Sequence, residues 1–332
     1  MTGLGKTGLG KTLRIVLGLA VIAALVVVPI NFNRYGLFIL SQWAVMTIAA
    51  MGLNLTLGYA GQVSLAQGAF VGIGAYSAAL LTTHGWPLGA AALFALLLSF
   101  AIGWLLGYPA LRVRHHYLAF VTLAFSTLAF LVFRNEEWLT GGIYGISGVP
   151  RPSLLGLELA RPIPFYEFCL AVLAIVTAAM AFMIRSPWGR AFTALRENPL
   201  RALSLGVDTR LYTLMAFAIG SALAGLAGVL YAPLVQFVDP PAFALQLSLN
   251  LLLMVIVGGQ GYFFGPFLGA AVAVLLPEWL RFADNYYLVI YALVVMVLMA
   301  LCPQGLIGLG ERLGERLGER FRTPAAKPGA SA

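Results

Sequence analysis

The residues that could carry out chemistry are few, and the most explicit pattern is GKTGLGKT at Gly5–Thr12. This pattern matches the G-x-x-x-x-G-K-[ST] loop, in which backbone N–H groups and a lysine hold nucleotide phosphates. Such a loop needs a preceding strand and a following helix in one parallel sheet, whereas only four residues precede this match and an apolar run follows it. We therefore interpret its two lysines as a positively charged anchor beside a membrane span. We expect no nucleotide site in this chain.

The other groups suited to catalysis or metal binding do not form a site in the sequence. His84, His115 and His116 stand outside any H-E-x-x-H pattern, and neither a nucleophile elbow nor paired carboxylates occur. Cys169 and Cys302 lie inside apolar runs without metal-ligand spacing. A membrane-embedded enzyme would have to work without an evident acid–base pair. We therefore expect a protein that is not an enzyme, with no catalytic residues, no metal and no cofactor of its own.

The composition of the chain indicates which class of structure positions its functional residues. Of the 332 residues 61% are hydrophobic and 10% are charged, which is too apolar for a soluble domain. Several apolar runs reach about 18 residues, the length that crosses the bilayer core. We predict an all-α polytopic membrane protein with about ten transmembrane helices. The predicted spans are 13–30, 36–57, 61–83, 87–107, 117–133, 164–184, 211–234, 244–258, 265–282 and 285–302.

The distribution of basic residues indicates the orientation of these spans. With both termini in the cytoplasm, 15 of the 20 lysines and arginines fall on cytoplasmic segments, as membrane insertion favours. This topology explains the net charge of +8 without nucleic acid. The expected segments are a cytoplasmic N-terminal repeat at 1–12, a transmembrane domain at 13–302, a periplasmic loop at 134–163, a cytoplasmic loop at 185–211 and a disordered cytoplasmic tail at 303–332.

Polar side chains inside the spans mark a candidate translocation path or gate. Polar groups at that depth must face protein or a water-filled path, although helix–helix packing explains them equally well. The central parts of the spans are almost free of charge, which argues against a proton- or sodium-coupled carrier. The candidate path residues are Asn54, Tyr59, Gln62, Ser64 and Gln67, together with Gly141 and Gly142 in the glycine-rich loop.

The stretch Arg185–Leu211 is the longest polar segment between spans, with five arginines against two acids. Asn198 is a typical N-cap, Pro199 suits the first helical position, and Gly206 suits a left-handed residue after a helix. The pattern predicts a short, half-apolar, basic helix over 200–205, which a docking surface needs and a solvated loop does not. The expected docking residues are Arg190, Arg196, Glu197, Asn198, Arg201, Leu203 and Gly206.

Several motifs together resemble one family over about residues 36–310. They are NLTLGYAGQVSL at 54–65, TGG at 140–142 with GISGVP at 145–150, GRA at 189–191 with REN at 196–198, GGQG at 258–261, and PQGLI at 303–307. In this order they resemble the LivM-type permeases of branched-chain amino acid ABC transporters. The resemblance implies a ten-helix fold similar to that of vitamin B12-type importers, in a bacterial inner membrane.

The same resemblance implies a set of partners for this chain. These are a second, LivH-like permease subunit, two LivG/LivF-like cytoplasmic ATPases that alone bind ATP and magnesium, a periplasmic amino-acid-binding protein and the lipid bilayer. In such importers the loop that corresponds to Arg185–Leu211 holds the coupling helix that enters a groove on the ATPase. The chain departs from many relatives at Pro199 and Arg201, and Gln67 stands where many relatives have histidine.

Two other functions are compatible with the same residues. The expected substrates are branched-chain or other hydrophobic amino acids. Related permeases carry urea or short amides, and the sequence does not separate these substrates from amino acids. A stand-alone channel for a small neutral solute is the second alternative, although it has no need of the capped basic helix.

Overall fold

The computed structural model of the chain describes residues 33–112, 115–154, 157–158, 161–301 and 305–308. The predicted segments 1–12 and 13–30 lie outside these residues, as does the predicted tail apart from 305–308, which are helical. The helices are α1 (Arg34–Leu53), α2 (Gln67–Thr83), α3 (Leu88–Arg112), α4 (His115–Asn135), α5 (Glu137–Thr140), α6 (Pro162–Arg185), α7 (Pro187–Glu197), α8 (Pro199–Ser204), α9 (Thr209–Val235), α10 (Leu245–Gly258), α11 (Gly265–Trp279) and α12 (Tyr287–Leu301).

Short elements connect these helices. A π-helical turn, Asn54–Tyr59, extends α1, and 3₁₀ turns lie at Gly142–Tyr144, Pro240–Phe243 and Leu280–Tyr286. The strands contain two residues each: β1 (Ile146–Ser147) pairs antiparallel with β4 (Phe237–Val238), and β2 (Ser153–Leu154) pairs antiparallel with β3 (Leu157–Glu158).

The prediction of a polytopic all-α membrane protein is confirmed. Seven helical stretches in the described part of the chain are long and apolar enough to cross a membrane, and Val289–Ala300 is a shorter apolar helix. Nine of the ten predicted spans coincide with a helix, and the tenth, 13–30, lies outside the described residues. The total of ten spans and the likeness to the vitamin B12-type fold stay predictions.

The predicted span 61–83 differs from the structure at its start, because α2 begins only at Gln67. Residues 61–66 are not helical, and Gly61 has a left-handed φ of +69°. Backbone groups outside a helix need partners within a membrane domain. Here the Gln62 N–H donates to the Thr56 carbonyl at 2.8 Å, and the Leu65 N–H donates to Thr122 Oγ1 at 3.0 Å. The break is therefore paired by neighbouring elements.

Helix α9 lies at the centre of the bundle and packs against α1, α2 and α3. Small residues allow the close approach: a Cβ on Gly74 of α2 would lie 1.9 Å from the carbonyl oxygen of Gly225. Such small-residue contacts drive helix association where lipid supplies no hydrophobic driving force. The Asp208 carboxylate caps the start of α9 by accepting from the N–H groups of Arg210 (3.0 Å) and Leu211 (3.2 Å).

Two faces at opposite ends of the bundle carry the connecting segments. We call the end that contains α7 and α8 the α7–α8 face, and the end that contains the glycine-rich loop the opposite face. On the opposite face Gly141 and Gly142 have φ of +73° and +58°, a region that favours glycine. Thr140 Oγ1 donates to the Phe133 carbonyl at 2.8 Å, and β1 pairs with β4. Backbone contacts therefore fix this loop.

Candidate functional site

Part of the predicted loop 185–211 forms helix α7 on the α7–α8 face and is therefore ordered. Ser186 Oγ accepts from the Trp188 N–H at 3.2 Å, and Pro187 occupies the first turn, where its missing N–H is not needed. The helix buries one face, and the Phe192 ring packs edge-on against Tyr212 at the start of α9, with 5.7 Å between centroids. Helix α7 is thus attached to the central helix of the bundle. Helix α7 was not predicted from the sequence, although Ser186 followed by Pro187 is a helix-start signal.

Helix α8 has the caps that the sequence predicts. Asn198 Oδ1 accepts from the Arg201 N–H at 3.0 Å, and Pro199 lies in the first turn. At the other end Gly206 has φ of +82°, and the Val207 N–H donates to the Ala202 carbonyl at 3.0 Å. This is the Schellman arrangement that closes a helix with a left-handed residue. The helix is therefore held at both ends by its own sequence.

An exposed apolar surface covers α8. Leu200, Leu203 and Leu205 are 79%, 59% and 80% exposed, whereas Ala202 is buried against the bundle. The basic Arg201 is exposed beside them. Contiguous apolar side chains on a connecting segment typically mark an interaction surface. This surface has the mixed apolar and basic character that a protein partner can bind.

The other predicted docking residues divide into two groups. Arg190 and Glu197 line an open cavity of about 330 Å³ on α7, together with Thr193. They belong to α7, the helix that precedes the exposed leucines in the chain. Arg196 belongs to the second group, because it is exposed but its guanidinium contacts the end of α1.

The inward contact of Arg196 joins α7 to the end of α1. Arg196 Nη1 donates a partly buried hydrogen bond to the Gly58 carbonyl in the π-helical turn. The side chain lies across two glycines: a Cβ on Gly61 would stand 3.3 Å from Arg196 Cγ, and a Cβ on Gly261 would meet the guanidinium. Tyr59 lies within electrostatic reach of the same charge. Gly61 and Gly261 thus leave the space that Arg196 occupies.

Asn54 connects the same turn to the loop 259–264 between α10 and α11. Its Nδ2 donates to the Tyr262 carbonyl at 3.0 Å, and its Oδ1 accepts from the Gly261 N–H at 2.9 Å. The π-helical bond itself runs from the Ala60 N–H to the Leu55 carbonyl at 3.0 Å. Single π-type turns in helices frequently occur at functional sites. Asn54 and Arg196 therefore hold three segments together, and we call their contacts the Arg196–Asn54 junction.

Two further predicted path residues follow this junction in the non-helical segment. Gln62 Nε2 makes a long bond of 3.4 Å to the Ala60 carbonyl, and Ser64 Oγ accepts from the Ala66 N–H at 3.4 Å. Both side chains are buried within the chain. They shape the segment 61–66 next to the junction.

The remaining predicted path residues lie elsewhere. Gln67 is buried and donates from Nε2 to the carbonyls of Gly220 (2.9 Å) and Ala49 (3.4 Å), so it joins α2 to α9 and α1. This is the geometry of an interhelical tether. Gly141 and Gly142 lie on the opposite face. The structure therefore gathers Asn54, Tyr59 and Arg196 at one place and separates Gln67 and the two glycines from it. Within the described residues no group of three His, Cys, Asp or Glu is placed to hold a metal ion.

Comparisons with known proteins agree with this architecture. A family profile described as "Branched-chain amino acid transport system / permease component" matches residues 35–300. The chain is 34% identical over 324 residues to the high-affinity branched-chain amino acid transport system permease protein LivM of Escherichia coli strain K12, covering 90% of this chain and 76% of that protein. It is 33% identical over 314 residues to the LivM of Salmonella typhimurium strain LT2, covering 87% and 74%.

A more distant relative carries a different name. The chain is 27% identical over 280 residues to the autoinducer 2 import system permease protein LsrC of Enterobacter sp. strain 638, covering 78% of this chain and 77% of that protein. No solved structure matches the chain. The extent of the family match and the identity to the LivM proteins show that the chain belongs to the family of branched-chain amino acid transport permease components.

Proposed function

We propose that this chain is the membrane-spanning permease subunit of an ABC importer that moves branched-chain amino acids across the bacterial inner membrane. The observation that carries the proposal is the exposed, doubly capped helix α8, which is joined through Asn198 to α7, whose Arg196 contacts the end of α1. A permease that receives energy from a separate ATPase needs such a surface and such a connection. A stand-alone channel needs neither.

The proposed coupling begins at the surface of α8. Leu200 and Leu203 enter an apolar groove on the ATPase, while Arg190, Arg201 and Glu197 contact its rim. Burial of one exposed leucine contributes on the order of 1.5–3 kcal/mol, so two leucines can anchor the helix. Closure of the ATPases on ATP then moves α8 together with α7, because Asn198 and Ser186 hold each helix start rigidly.

The movement reaches the bundle through the Arg196–Asn54 junction. Arg196 transmits it to the carbonyl of Gly58, and Asn54 transmits it from the same turn to the loop 259–264. The ends of α1 and α11 therefore move as one unit, which changes access to a path between subunits. Asn54, Tyr59, Gln62 and Ser64 stay the candidate gate residues at this face. Gly141 and Gly142 are the candidate gate residues at the opposite face. Gln67 is the candidate path residue inside the bundle, between the two faces.

The proposed assembly follows from the chemistry of the two faces. The α7–α8 face is cytoplasmic because it carries the basic segment, and the termini are cytoplasmic with it. Two cytoplasmic ATPases of the LivG/LivF kind bind ATP and magnesium, and this chain binds neither. A LivH-like permease subunit completes the path, and a periplasmic amino-acid-binding protein delivers the substrate to the opposite face.

The proposed substrate class rests on two observations. The relatives at 33–34% identity are named as branched-chain amino acid permeases, whereas LsrC, at 27%, is named for autoinducer 2. The described spans carry few charged residues, which suits a net-neutral zwitterion whose tight binding is left to the soluble partner. Urea or short amides are the alternative substrates with the same lack of charge.

Co-purification and uptake test the proposal. The four-subunit complex is assembled with wild-type chain, with Leu203→Asp, or with Trp138→Asp as a control that adds the same charge at an 80% exposed position on the opposite face. We expect Leu203→Asp to release the ATPases and abolish ATP-dependent leucine uptake into proteoliposomes, and Trp138→Asp to retain the ATPases. Wild-type association with Leu203→Asp would refute the docking surface. Uptake of urea in preference to leucine would assign the alternative substrate.

A further inference from the structure

Helix α10 carries two exposed carboxamides inside Pro240–Gly258, a stretch long and apolar enough to cross the membrane. Gln246 and Asn250 are exposed, and their spacing of four residues places them on one face of the helix. Ser248 and Leu251 are buried on the other face, against the bundle. Neither carboxamide has a hydrogen-bond partner in the part of the chain that the structure describes. Both amide groups are therefore available to a partner outside this part of the chain.

Two hydrogen bonds place these carboxamides deep in the membrane domain. Gln67 Nε2 donates to the carbonyl of Gly220 at 2.9 Å, and Gly220 lies near the middle of the membrane-spanning helix α9. The next residue, Gly68, donates its N–H to Ser248 Oγ at 2.9 Å. Each carboxamide stands two residues from Ser248, which corresponds to about 3 Å along the helix axis. Both therefore lie at the level of the hydrocarbon core and not among the headgroups.

Lipid does not satisfy carboxamides at this depth. A polar side chain in hydrocarbon is unfavourable without a hydrogen-bond partner, so such side chains face protein or a water-filled path. The predicted span 13–30 lies outside the described residues, but its residues 15–30 include no polar side chain. Packing of that span on α10 would leave both amides unpaired. The face with Gln246 and Asn250 therefore borders either water or a polar group of another molecule.

The connections of α10 favour a water-filled path. Before its start, the turn Pro240–Phe243 follows strand β4, which pairs with β1 in the glycine-rich loop of the opposite face. After its end, the loop 259–264 is bonded to Asn54 in the Arg196–Asn54 junction. Helix α10 thus connects the candidate gates at the two faces. A helix that connects both gates is suited to lining the path between them.

The same face of α10 also carries apolar side chains. Leu245 and Leu249 are 36% and 42% exposed beside the two carboxamides. A carboxamide donates to a carboxylate and accepts from an ammonium group, whereas leucine side chains contact hydrocarbon. No charged residue occurs in α10, so this face does not attract an ion of one sign. A zwitterion with an aliphatic side chain matches this combination.

We propose that this face of α10 lines the translocation path and that Asn250 contacts the amino acid in transit. Asn250 and Gln246 together bind the carboxylate and the ammonium group, and Leu249 contacts the aliphatic side chain. The identity of the solute rests on the proposed function. The polar surroundings of α10 rest on the depth and exposure of its carboxamides alone.

Thiol labelling of the four-subunit complex in proteoliposomes tests the polar surroundings. Asn250→Cys and Ile175→Cys are each introduced into a Cys169→Ser/Cys302→Ser background, and Ile175 serves as the control because it is an apolar residue 68% exposed on α6. A membrane-impermeant maleimide is added. We expect Asn250→Cys to react about tenfold faster than Ile175→Cys, because apolar surroundings suppress the reactive thiolate, and saturating leucine to slow its reaction. Equally slow labelling at both positions overturns the path.

Uptake measurements test the contact with the solute. With the periplasmic protein saturated with leucine, we expect Asn250→Leu to lower the maximal uptake rate about tenfold, because a charged group of the solute loses a hydrogen bond. The unfolding midpoint and the ATPase content stay unchanged, and Asn250→Gln restores part of the rate. Thr127→Val is the control, because it removes an exposed hydroxyl of α4 that already donates to the Leu123 carbonyl at 3.1 Å.

The outcomes separate this inference from the proposed function. A wild-type uptake rate in Asn250→Leu overturns the contact while the importer stands. Loss of the second permease subunit from Asn250→Leu also overturns it and assigns the amide to that interface. If urea slows the labelling of Asn250→Cys and leucine does not, the path is supported and the proposed substrate fails. Monodisperse elution of each variant shows that it is folded.

Discussion

The guanidinium of Arg196 donates a hydrogen bond to the carbonyl oxygen of Gly58, which connects residues 138 positions apart in the sequence. Arg196 belongs to the surface segment and Gly58 to the end of a membrane span, so this contact crosses from one to the other. The sequence pattern assigns Arg196 to the docking surface, together with Arg190 and Arg201. The structure distinguishes them by their contacts: all three residues are exposed, but Arg190 lines the open cavity on α7, whereas the Arg196 guanidinium reaches the Gly58 carbonyl. The proposed role of Arg196 in transmitting movement can therefore be tested separately from a role in docking the ATPase.

The contact between Asn54 and Gly261 depends on the absence of a side chain at Gly58, and Gly58→Ala tests this dependence. A Cβ there would stand about where Asn54 Oδ1 and the Gly261 N–H now lie, so the junction must open. Overpacking of this kind costs about 1–3 kcal/mol, and we expect a lower thermal unfolding midpoint in detergent. Gly89→Ala is the control, because nothing lies within 4 Å of a Cβ added at that position in helix α3. It is expected to be neutral or stabilising by about 0.4–1 kcal/mol. Equal stability of the two variants would contradict the close contact.

Asn54→Ala leaves the N–H of Gly261 and the carbonyl of Tyr262 without the partners they have now. A buried polar group that loses its partner costs about 1–3 kcal/mol. We expect faster proteolysis within 259–264 and a lower unfolding midpoint. Asn54→Asp keeps the acceptor but loses the donor, so we expect its unfolding midpoint also to lie below that of the wild type. Asn250→Ala, at an exposed asparagine of α10, should change neither quantity. A stable 259–264 loop in Asn54→Ala would mean that the amide does not hold it.

The left-handed conformation of Gly206, which follows α8, predicts that two substitutions at this position affect ATPase binding differently. Gly206 has φ of +82° and nothing lies within 4 Å of an added Cβ, so the cost of a side chain there is conformational. Gly206→Val is expected to fray α8 and to weaken ATPase binding several-fold, since the left-handed region costs ordinary residues about 1–2 kcal/mol. Gly206→Asn should remain near wild type because asparagine tolerates this region. Titration of labelled ATPase onto each complex measures the difference. Equal affinities would show that the helix shape does not contribute to docking.

Gln67 allows packing to be distinguished from a role in the path. Gln67→Met preserves the shape but removes the bonds to Gly220 and Ala49. If the Gln67 amide holds the helices together, its loss lowers the free energy of unfolding by about 0.5–1.5 kcal/mol for each lost bond, and the unfolding midpoint falls. The KM for leucine uptake then stays unchanged. A changed KM at unchanged stability would place Gln67 in the path instead.

The sequence predicted local structure well where the signals are local. Both caps of α8 are local: Asn198 Oδ1 accepts from the backbone N–H three residues on, and Gly206 adopts the left-handed conformation that glycine favours. Span lengths follow from apolar runs, so nine predicted spans coincide with helices. The composition of the glycine-rich loop that contains Gly141 is compatible with a mobile loop or with a loop held by backbone contacts. The structure shows a loop held by backbone contacts.

The long-range contacts could not be predicted in the same way. The bonds of Asn54 and Arg196 join residues 207 and 138 positions apart, respectively, and neither periodicity nor composition indicates such pairs. The late start of α2 at Gln67 was missed because no proline separates residues 61–66 from the run that follows, and Gln62 and Ser64 alone do not exclude a span. Their helical bonds are replaced by contacts with Thr56 and Thr122, which lie on other elements.

The most direct test of the account compares Arg196→Ala with Arg210→Ala in the assembled four-subunit complex. Arg210 is exposed at the start of α9 and serves as the charge-matched control. The measurement is the ratio of leucine uptake to ATP hydrolysis in proteoliposomes supplied with the periplasmic binding protein, with ATPase content quantified in the same sample. We predict full ATPase content and basal hydrolysis in both variants, with the ratio reduced about tenfold only in Arg196→Ala, since a charge-assisted bond contributes about 1.5–3 kcal/mol. A wild-type ratio in Arg196→Ala, or loss of the ATPases from it, would contradict the proposed transmission.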